Sequence, residues 1–375
     1  MGDIRFPGFG IHLKDVPESF MLFGLEVKLY GFVIAIGFIL AYIIVTKEAK
    51  RTGQDDELYV DFMLWMIIPA ILGARLYYIL FSLDSYIEPG KGIGETIKDM
   101  INIRQGGLAI YGGIIAAVIV AIIFCKKRKA NLKLMADTAT MALLTGQIIG
   151  RFGNFFNREA FGDYTDSIFR MELPVSYFKG NGSLNGLIAE NIINDTMINN
   201  VVNVDGTAWI SVHPTFLYEA LWNLGLLIII FVYRKHKKFD GELALLYVWG
   251  YGLGRVWIEA LRSDSLMVPG INMKVSQLVA AVCVLVASVI IVKKRFDYVK
   301  EMNNASSDKK TDGAKKTDSA KKTDSAKKTD SAKKTDSAKK TNSAKKTDGT
   351  KKADSVKKSD NAKKNSSTKN SESSK

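Results

Sequence analysis

The sequence predicts an all-α polytopic membrane protein with seven transmembrane helices, a small external cap and a disordered lysine-rich tail. Three observations carry this reading. Residues 1–300 contain seven apolar stretches, each close to the ~20 residues that a spanning helix needs. Basic clusters follow every second stretch. Composition then changes abruptly, because residues 301–375 hold 22 lysines against 11 acidic residues and no Phe, Trp or Tyr.

The apolar stretches fall near 28–46, 58–81, 107–125, 134–150, 215–233, 242–260 and 274–292. Long core helices of a soluble protein could imitate one or two of them, but hardly seven. The N-terminus has no basic n-region ahead of a short apolar run, so Lys28–Thr46 is expected to be retained rather than removed as a signal peptide. Cys125 and Cys283 both lie in spanning stretches, which argues against a disulfide framework and for packing roles.

Lys47–Arg51, Lys126–Lys133, Arg234–Lys238 and Lys293–Arg295 follow stretches one, three, five and seven. Alternate crossings put all four on one side, and the positive-inside rule makes that side cytoplasmic. The N-terminus is then outside and the C-terminus inside. The inner connections are short. The larger connections, about 82–105 and 163–212, lie outside. The second is rich in Asn and Gly, with short apolar runs, and is expected to form a cap over a cavity mouth.

The body 1–300 carries a net charge of only +3, so most of the overall +14 belongs to the tail. There A-K-K-T-D-S recurs with period six from about 309 to 346. Such composition cannot build a core and is expected to stay disordered. Its functional reading is weak attachment to an anionic lipid surface, about 1 kcal/mol per lysine held there. With no aromatic side chain for base stacking, no specific nucleic acid is expected.

Placed on this topology, the polar residues at membrane depth sort to one side. Tyr30 opens stretch one, and Arg75 lies toward the outer end of stretch two. Tyr111 opens stretch three, and Arg151 closes stretch four. His213, Tyr218 and Glu219 open stretch five, while Arg255 and Glu259, four apart on one helix face, lie in the outer part of stretch six. One outward-facing polar cavity accounts for this better than scattered structural ion pairs. The densest cluster is Gly150–Gly162, G-R-F-G-N-F-F-N-R-E-A-F-G, with Arg151, Asn154, Asn157, Arg158 and Glu159 at a membrane edge. Charged groups at that depth are costly and mark a site. A polar helix end snorkelling into headgroups is the bland alternative, and the three glycines, which allow close approach of backbone to a ligand or neighbour, weigh against it.

Arginines in such a cavity suit an anionic ligand, since guanidinium presents forked donors matched to phosphate. At membrane depth the most available phosphate is that of a phospholipid. His12, His213 and His236 are scattered and the two cysteines are apart, so no metal set is visible. No P-loop or dinucleotide fingerprint stands out; Gly250-Tyr-Gly-Leu-Gly254 lies in an apolar helix and suits close helix packing. No cofactor is expected.

Gly150–Gly162 closely resembles the G-R-x-G-N-F-x-N-x-E-x-x-G motif of bacterial prolipoprotein diacylglyceryl transferases. The resemblance extends through Leu29-Tyr30-Gly31, Gly73-Ala-Arg75, Gly106–Gly113, His213–Glu219 and Gly254–Glu259, in family order, and leaves the tail outside. It implies transfer of the diacylglyceryl group from phosphatidylglycerol to the lipobox cysteine thiol of a prolipoprotein signal peptide, with glycerol phosphate leaving, in the bacterial cytoplasmic (inner) membrane. It implies Tyr30, Arg151, Asn154, Glu159, Gly162, Arg255 and Glu259 as the essential group. Arg151 and Arg255 are assigned to the phosphate, held by Glu159 and Glu259, with Asn154, Gly162, Arg75 and His213 also toward the lipid. For His213-Pro214 a helix-start role stands beside a catalytic one.

Tyr111 stands where some family members carry a histidine proposed as base. An ordinary tyrosine, with a pKa of about 10, is a poor base near neutrality. Tyr111 is therefore expected to position a headgroup oxygen or the thiol, leaving proton removal to a carboxylate, solvent or released phosphate. An anion or phospholipid transporter is the alternative. Such proteins place sites between repeated halves near the midplane, and no halves repeat here.

Overall fold

A computed structural model describes residues 2–329, apart from 88–91, 104–105, 181–183, 190–191, 266, 269 and 272, with side chains as far as Asn304. The chain begins with β1 (Gly2–Phe6), β2 (Ile11–Val16), β3 (Ser19–Leu22) and β4 (Leu25–Lys28). Next come α1 (Leu29–Arg51), α2 (Glu57–Phe81), α3 (Ile93–Ile101), α4 (Ile110–Arg128) and α5 (Leu132–Asn157). A long connection holds β5 (Met171–Pro174), α6 (Val175–Gly180), α7 (Leu184–Ala189), α8 (Asp195–Asn199), β6 (Val202–Val204) and β7 (Thr207–Val212). The last elements are α9 (Thr215–Tyr233), α10 (Glu242–Leu261) and α11 (Val275–Thr329).

Five helices among the described residues are long and apolar enough to cross a membrane: Leu29–Arg51, Glu57–Phe81, Ile110–Arg128, Thr215–Tyr233 and Val275–Asn304. Phe38, Leu64, Ile68, Ile229 and Leu285 stand exposed on them. A water-soluble surface would not carry such belts, whereas hydrocarbon solvates them. Expected spans four and six, α5 and α10, are helices of 26 and 20 residues but carry more polar side chains. Helix α5 packs along α1 and α9, and α10 along α9 and α5. Glycine sets the closest approaches. A Cβ at Gly112 would meet the backbone of Gly73 in α2, and one at Gly254 would meet the Trp222 ring. Trp222 Nε1 donates to the Gly250 carbonyl oxygen at 2.8 Å, so the glycines of α10 serve helix packing as the sequence suggests.

The all-α expectation needs correction. Strands form an antiparallel five-stranded sheet in the order β2-β1-β5-β7-β6, and β3 pairs with β4 as a separate hairpin. Arg5 opposes Glu172, and Leu173 opposes Ile210. The cap thus combines the N-terminal segment with the α5–α9 connection. Ile4, Val16, Leu173, Ile193, Met197, Ile210 and Val212 form its core. Strands this short give little period-two signal, and their pairing links residues far apart in sequence, so hydropathy alone misses them.

At the opposite helix ends, three buried carboxylates gather the basic clusters. Glu48 accepts from Arg51 Nε at 2.8 Å and from Arg234. Asp137 accepts from Lys237 Nζ at 3.0 Å and from the backbone N–H groups of Gly241 and Ala244 at 2.9 and 3.0 Å. An α5 side chain therefore caps the first turn of α10 in place of a local capping residue. Glu242 accepts from Arg295 Nε at 2.6 Å and from the Tyr233 hydroxyl at 3.0 Å.

Residues Met1–Ser306 form one contact unit and Ser307–Lys375 another. Helix α11 does not stop at 300. It continues to Thr329, into the repeat that composition marks as disordered. Alanine and lysine are good helix formers, and extending an existing helix avoids the cost of nucleation. The remainder of the expected disordered tail, 330–375, lies outside the described residues, as do parts of the 82–105 and 163–212 connections.

Candidate active site

Helix α5 ends at Asn157, and the turn that follows is made without glycine. Arg158 and Ala160 both take left-handed backbone conformations, with φ of 50° and 56°. Such positions in non-glycine residues cost free energy and persist where surroundings fix them. Arg158 is 2% exposed. Its guanidinium donates to the carbonyl oxygens of Phe156 at 2.8 Å, Val16 at 2.6 Å and Gly2, and lies 4.5 Å from the centre of the Tyr177 ring. Burial pushes the Tyr177 phenol up to about 12, with its hydrogen bond to Glu18 acting the same way. Arg158 thus ties the cap sheet to the end of α5. Between the two left-handed residues, Glu159 accepts from Asn154 Nδ2 at 2.9 Å.

Two turns before this bend, Arg151 donates from Nη2 to Glu219 Oε1 at 2.5 Å. Arg255 Nη1 donates to the other oxygen, Oε2, at 3.0 Å. Glu219, in the second turn of α9, is therefore a buried bridge between the polar motifs of α5 and α10. The Tyr251 hydroxyl also reaches its Oε1, at 3.4 Å. Arg255 pairs in addition with Glu259 one turn on.

Glu259 is itself surrounded. Ser265 donates to its Oε1 at 2.7 Å, and the Ser276 hydroxyl donates to the same oxygen. Lys274 Nζ donates to the backbone carbonyls of Glu259 at 2.7 Å, Ala260 at 3.0 Å and Arg262, closing the C-terminal end of α10. Tyr111, in the first turn of α4, sets its ring 6.4 Å from that of Tyr77 in α2.

Tyr30 reaches the motif through its ring. A Cβ at Gly153 would fall 2.6 Å from Tyr30 Cδ2. Gly162 sits where three chain segments cross. Its N–H donates to the His213 carbonyl at 2.9 Å, it forms an isolated bridge with Arg262, and a Cβ there would fall 2.7 Å from the Leu261 oxygen. The next N–H, of Asp163, donates to Leu261 O at 2.7 Å. His213 Nδ1 lies 3.3 Å from the Tyr218 hydroxyl, and burial holds its pKa below the ordinary histidine value, Asp163 opposing.

Arg75 is engaged elsewhere. Its Nε donates to Met100 O at 2.7 Å, Nη1 to Gly106 O and Gly107 O at 2.7 and 3.0 Å, and Nη2 to Asp99 O and Asn102 O at 2.8 and 3.1 Å. Those contacts occupy its donors and fasten the connection after α3.

Two details differ from the sequence expectation. The carboxylate beside Arg151 is Glu219; Glu159 holds Asn154 instead. The arginines are also not in excess, because Glu219 and Glu259 balance Arg151 and Arg255. What the pair of arginines could offer an anion is therefore not net charge but those of each guanidinium's five N–H donors that these ion pairs leave over. Ser265 and Ser276 carry no motif signal. Glu219 did, as a carboxylate inside an apolar stretch.

A family model described as prolipoprotein diacylglyceryl transferase matches residues 17–293. The chain is 36% identical over 283 residues to a phosphatidylglycerol–prolipoprotein diacylglyceryl transferase of Finegoldia magna, covering 75% of this chain and 97% of the relative. A like-named protein of Clostridium perfringens is 36% identical over 278 residues, 74% of this chain and 93% of that one. One of Listeria welshimeri is 37% identical over 289 residues, 77% and 92% respectively.

Proposed function

This chain belongs to the prolipoprotein diacylglyceryl transferase family, and from that membership we infer that the cluster around Glu219 is its active site. The protein is a transferase of lipoprotein biosynthesis that moves the diacylglyceryl group of phosphatidylglycerol to prolipoproteins. It is a multi-pass membrane protein with bacterial relatives. The observation that carries the site assignment is the double acceptance by Glu219 of Arg151 and Arg255.

The acceptor is the lipobox cysteine of the signal peptide. Its thiolate attacks the glycerol carbon next to the phosphate ester, the C–O electron pair leaves with glycerol phosphate, and a thioether remains. The thiol itself is a poor nucleophile, so the site must favour loss of its proton and stabilise the leaving phosphate. Arg151 and Arg255 suit the second task, being preorganised, partly buried and carrying unused donors. Loss of one such donor is expected to cost roughly 3 kcal/mol of transition-state stabilisation. Asn154, with one amide hydrogen given to Glu159, keeps a donor and its carbonyl for headgroup or ester oxygens. Tyr30 adds a hydroxyl at the same depth. Gly162 and His213 shape the outer wall by the chain crossing, and Arg75 fixes the loop after α3. Tyr111 positions a substrate group rather than acting as base.

Seven crossings are supported by the lengths of α5 and α10 and their packing among α1 and α9. With the basic clusters inside, the N-terminus, the cap sheet and the site face outward, and the C-terminus lies in the cytoplasm beneath the bacterial inner membrane. The lysine-rich tail is suited to anionic lipid, and its removal is expected to leave turnover intact.

The test uses purified protein in phosphatidylglycerol vesicles with a lipobox peptide, read by mass spectrometry. A diacylglyceryl mass increase on the Cys peptide, absent from a Cys→Ser peptide and lost in Asn154→Ala, is the expected result. A folded protein that forms no adduct with both substrates accessible would rule the reading out.

A further inference from the structure

A second polar tier lies beside the ion pairs, one helical turn toward the Asp137 end of α5. Gln147 stands four residues before Arg151 on α5, Tyr247 four before Tyr251 on α10, and Asn223 four after Glu219 on α9. Residues four apart share a helix face, so each of the three adjoins a member of the Glu219 cluster. Gln147 Nε2 donates to the Tyr247 hydroxyl at 2.8 Å. The Tyr247 and Tyr251 rings stack, with centres 5.6 Å apart and planes 17° from parallel. The Tyr251 hydroxyl in turn lies 3.4 Å from Glu219 Oε1, the oxygen that Arg151 also holds. An amide of α5 is thus connected, through two stacked rings of α10, to the carboxylate of α9.

Packing alone does not account for amides in this tier. Gln147 Oε1 and both polar atoms of Asn223, a residue 0% exposed, have no hydrogen-bond partner among the described residues. Burying a polar group without a partner costs stability, and apolar side chains of similar size would avoid that cost. We propose that Gln147 is a positioning residue of the transferase site: through Tyr247 it fixes the ring and hydroxyl of Tyr251 against Glu219, and so the aim of Arg151 and Arg255. The proposal rests on the function inferred above. Tyr251 and Arg151 share one oxygen of Glu219, so a displaced Tyr251 ring alters the contacts that orient that carboxylate. Thr145 provides an internal comparison. It is buried on the same helix, but its hydroxyl donates to the Met141 carbonyl of that helix at 2.8 Å.

The experiment measures lipidation of the lipobox peptide, per folded molecule, by the full-length protein in phosphatidylglycerol vesicles. Gln147→Leu and Tyr247→Phe are each expected to lower kcat about tenfold, the upper end of what one neutral hydrogen bond contributes, with KM for the peptide unchanged. Each single variant strands one partner of the bond and lowers the thermal midpoint, whereas the double variant removes both partners and recovers much of that loss. The kcat of the double variant stays close to that of either single one, since the two side chains act as one unit. Thr145→Val keeps full kcat. Independently of turnover, the 19F resonance of 3-fluorotyrosine at position 251 shifts in Gln147→Leu and not in Thr145→Val. A kcat that recovers together with the thermal midpoint in the double variant marks a purely structural role and would overturn the proposal. Additive losses, or a fluorine signal indifferent to Gln147, would do the same. The wild-type adduct separates these results from failure of the transferase reading itself.

Discussion

The ring of Tyr30 occupies the space that a side chain at Gly153 would need, so α1 and α5 meet at the site through an aromatic edge laid on bare backbone. Gly153→Ala is therefore expected to displace Tyr30, at a cost of about 1–3 kcal/mol of overpacking, and to reduce lipidation. Gly146→Ala, four residues earlier in chain order from Gly150 where a Cβ meets nothing within 4 Å, is expected to keep or slightly raise the thermal midpoint through helix propensity. Thermal unfolding and turnover of the two variants, side by side, check this.

Glu219→Gln leaves Arg151 and Arg255 without their shared carboxylate. Removing one partner from a buried ion pair costs about 3–5 kcal/mol. Arg151 is 21% exposed, which places the expected stability loss near the lower limit. Turnover is expected to fall more than stability does, because both guanidinium groups lose their aim. Arg255→Lys is not a rescue, since an ammonium cannot fork between Glu219 and Glu259. Adduct formation normalised to folded protein reads both variants.

His213 makes a pH prediction. Burial lowers its folded pKa below the ordinary value of 6.5. Between the folded and ordinary values the unfolded chain binds more protons, so stability rises with pH across that window and falls on acidification. The thermal midpoint is expected to drop as pH is lowered below 6.5, and His213→Gln to flatten that slope. An unchanged slope in the variant would assign the acid sensitivity elsewhere.

Asp137→Ala removes the cap on α10 and the partner of Lys237. Loss of a cap typically costs about 1 kcal/mol, and the abandoned lysine adds to it. A lower thermal midpoint is expected, with turnover per folded molecule close to wild type, because Asp137 lies in the first turns of α5, well before Arg151.

Hydropathy located the long helices because each is a continuous run whose solvent is lipid. It could not find β1, whose partner β5 lies more than 160 residues later in the chain, with Arg5 facing Glu172. Arg151, Asn154, Arg255 and Glu259 were legible as polar groups where burial is expensive. Their pairing was not. Glu159 is the nearer carboxylate in sequence to Arg151, yet the left-handed turn at Arg158 directs it to Asn154 and leaves Arg151 to Glu219. Arg75 shows the converse error. A buried arginine in a membrane helix marks a ligand site only if its donors are free, and here five backbone carbonyls take them.

The carboxylates Glu48, Asp137 and Glu242 pin α1, α5, α9, α10 and α11 to one another at the ends remote from Glu219. Asp137 and Arg151 lie 14 residues apart on one helix, about 21 Å at 1.5 Å per residue. The bundle is thus laced by buried charge at both ends, by these three carboxylates on one side and by Glu219, which joins α5, α9 and α10, on the other.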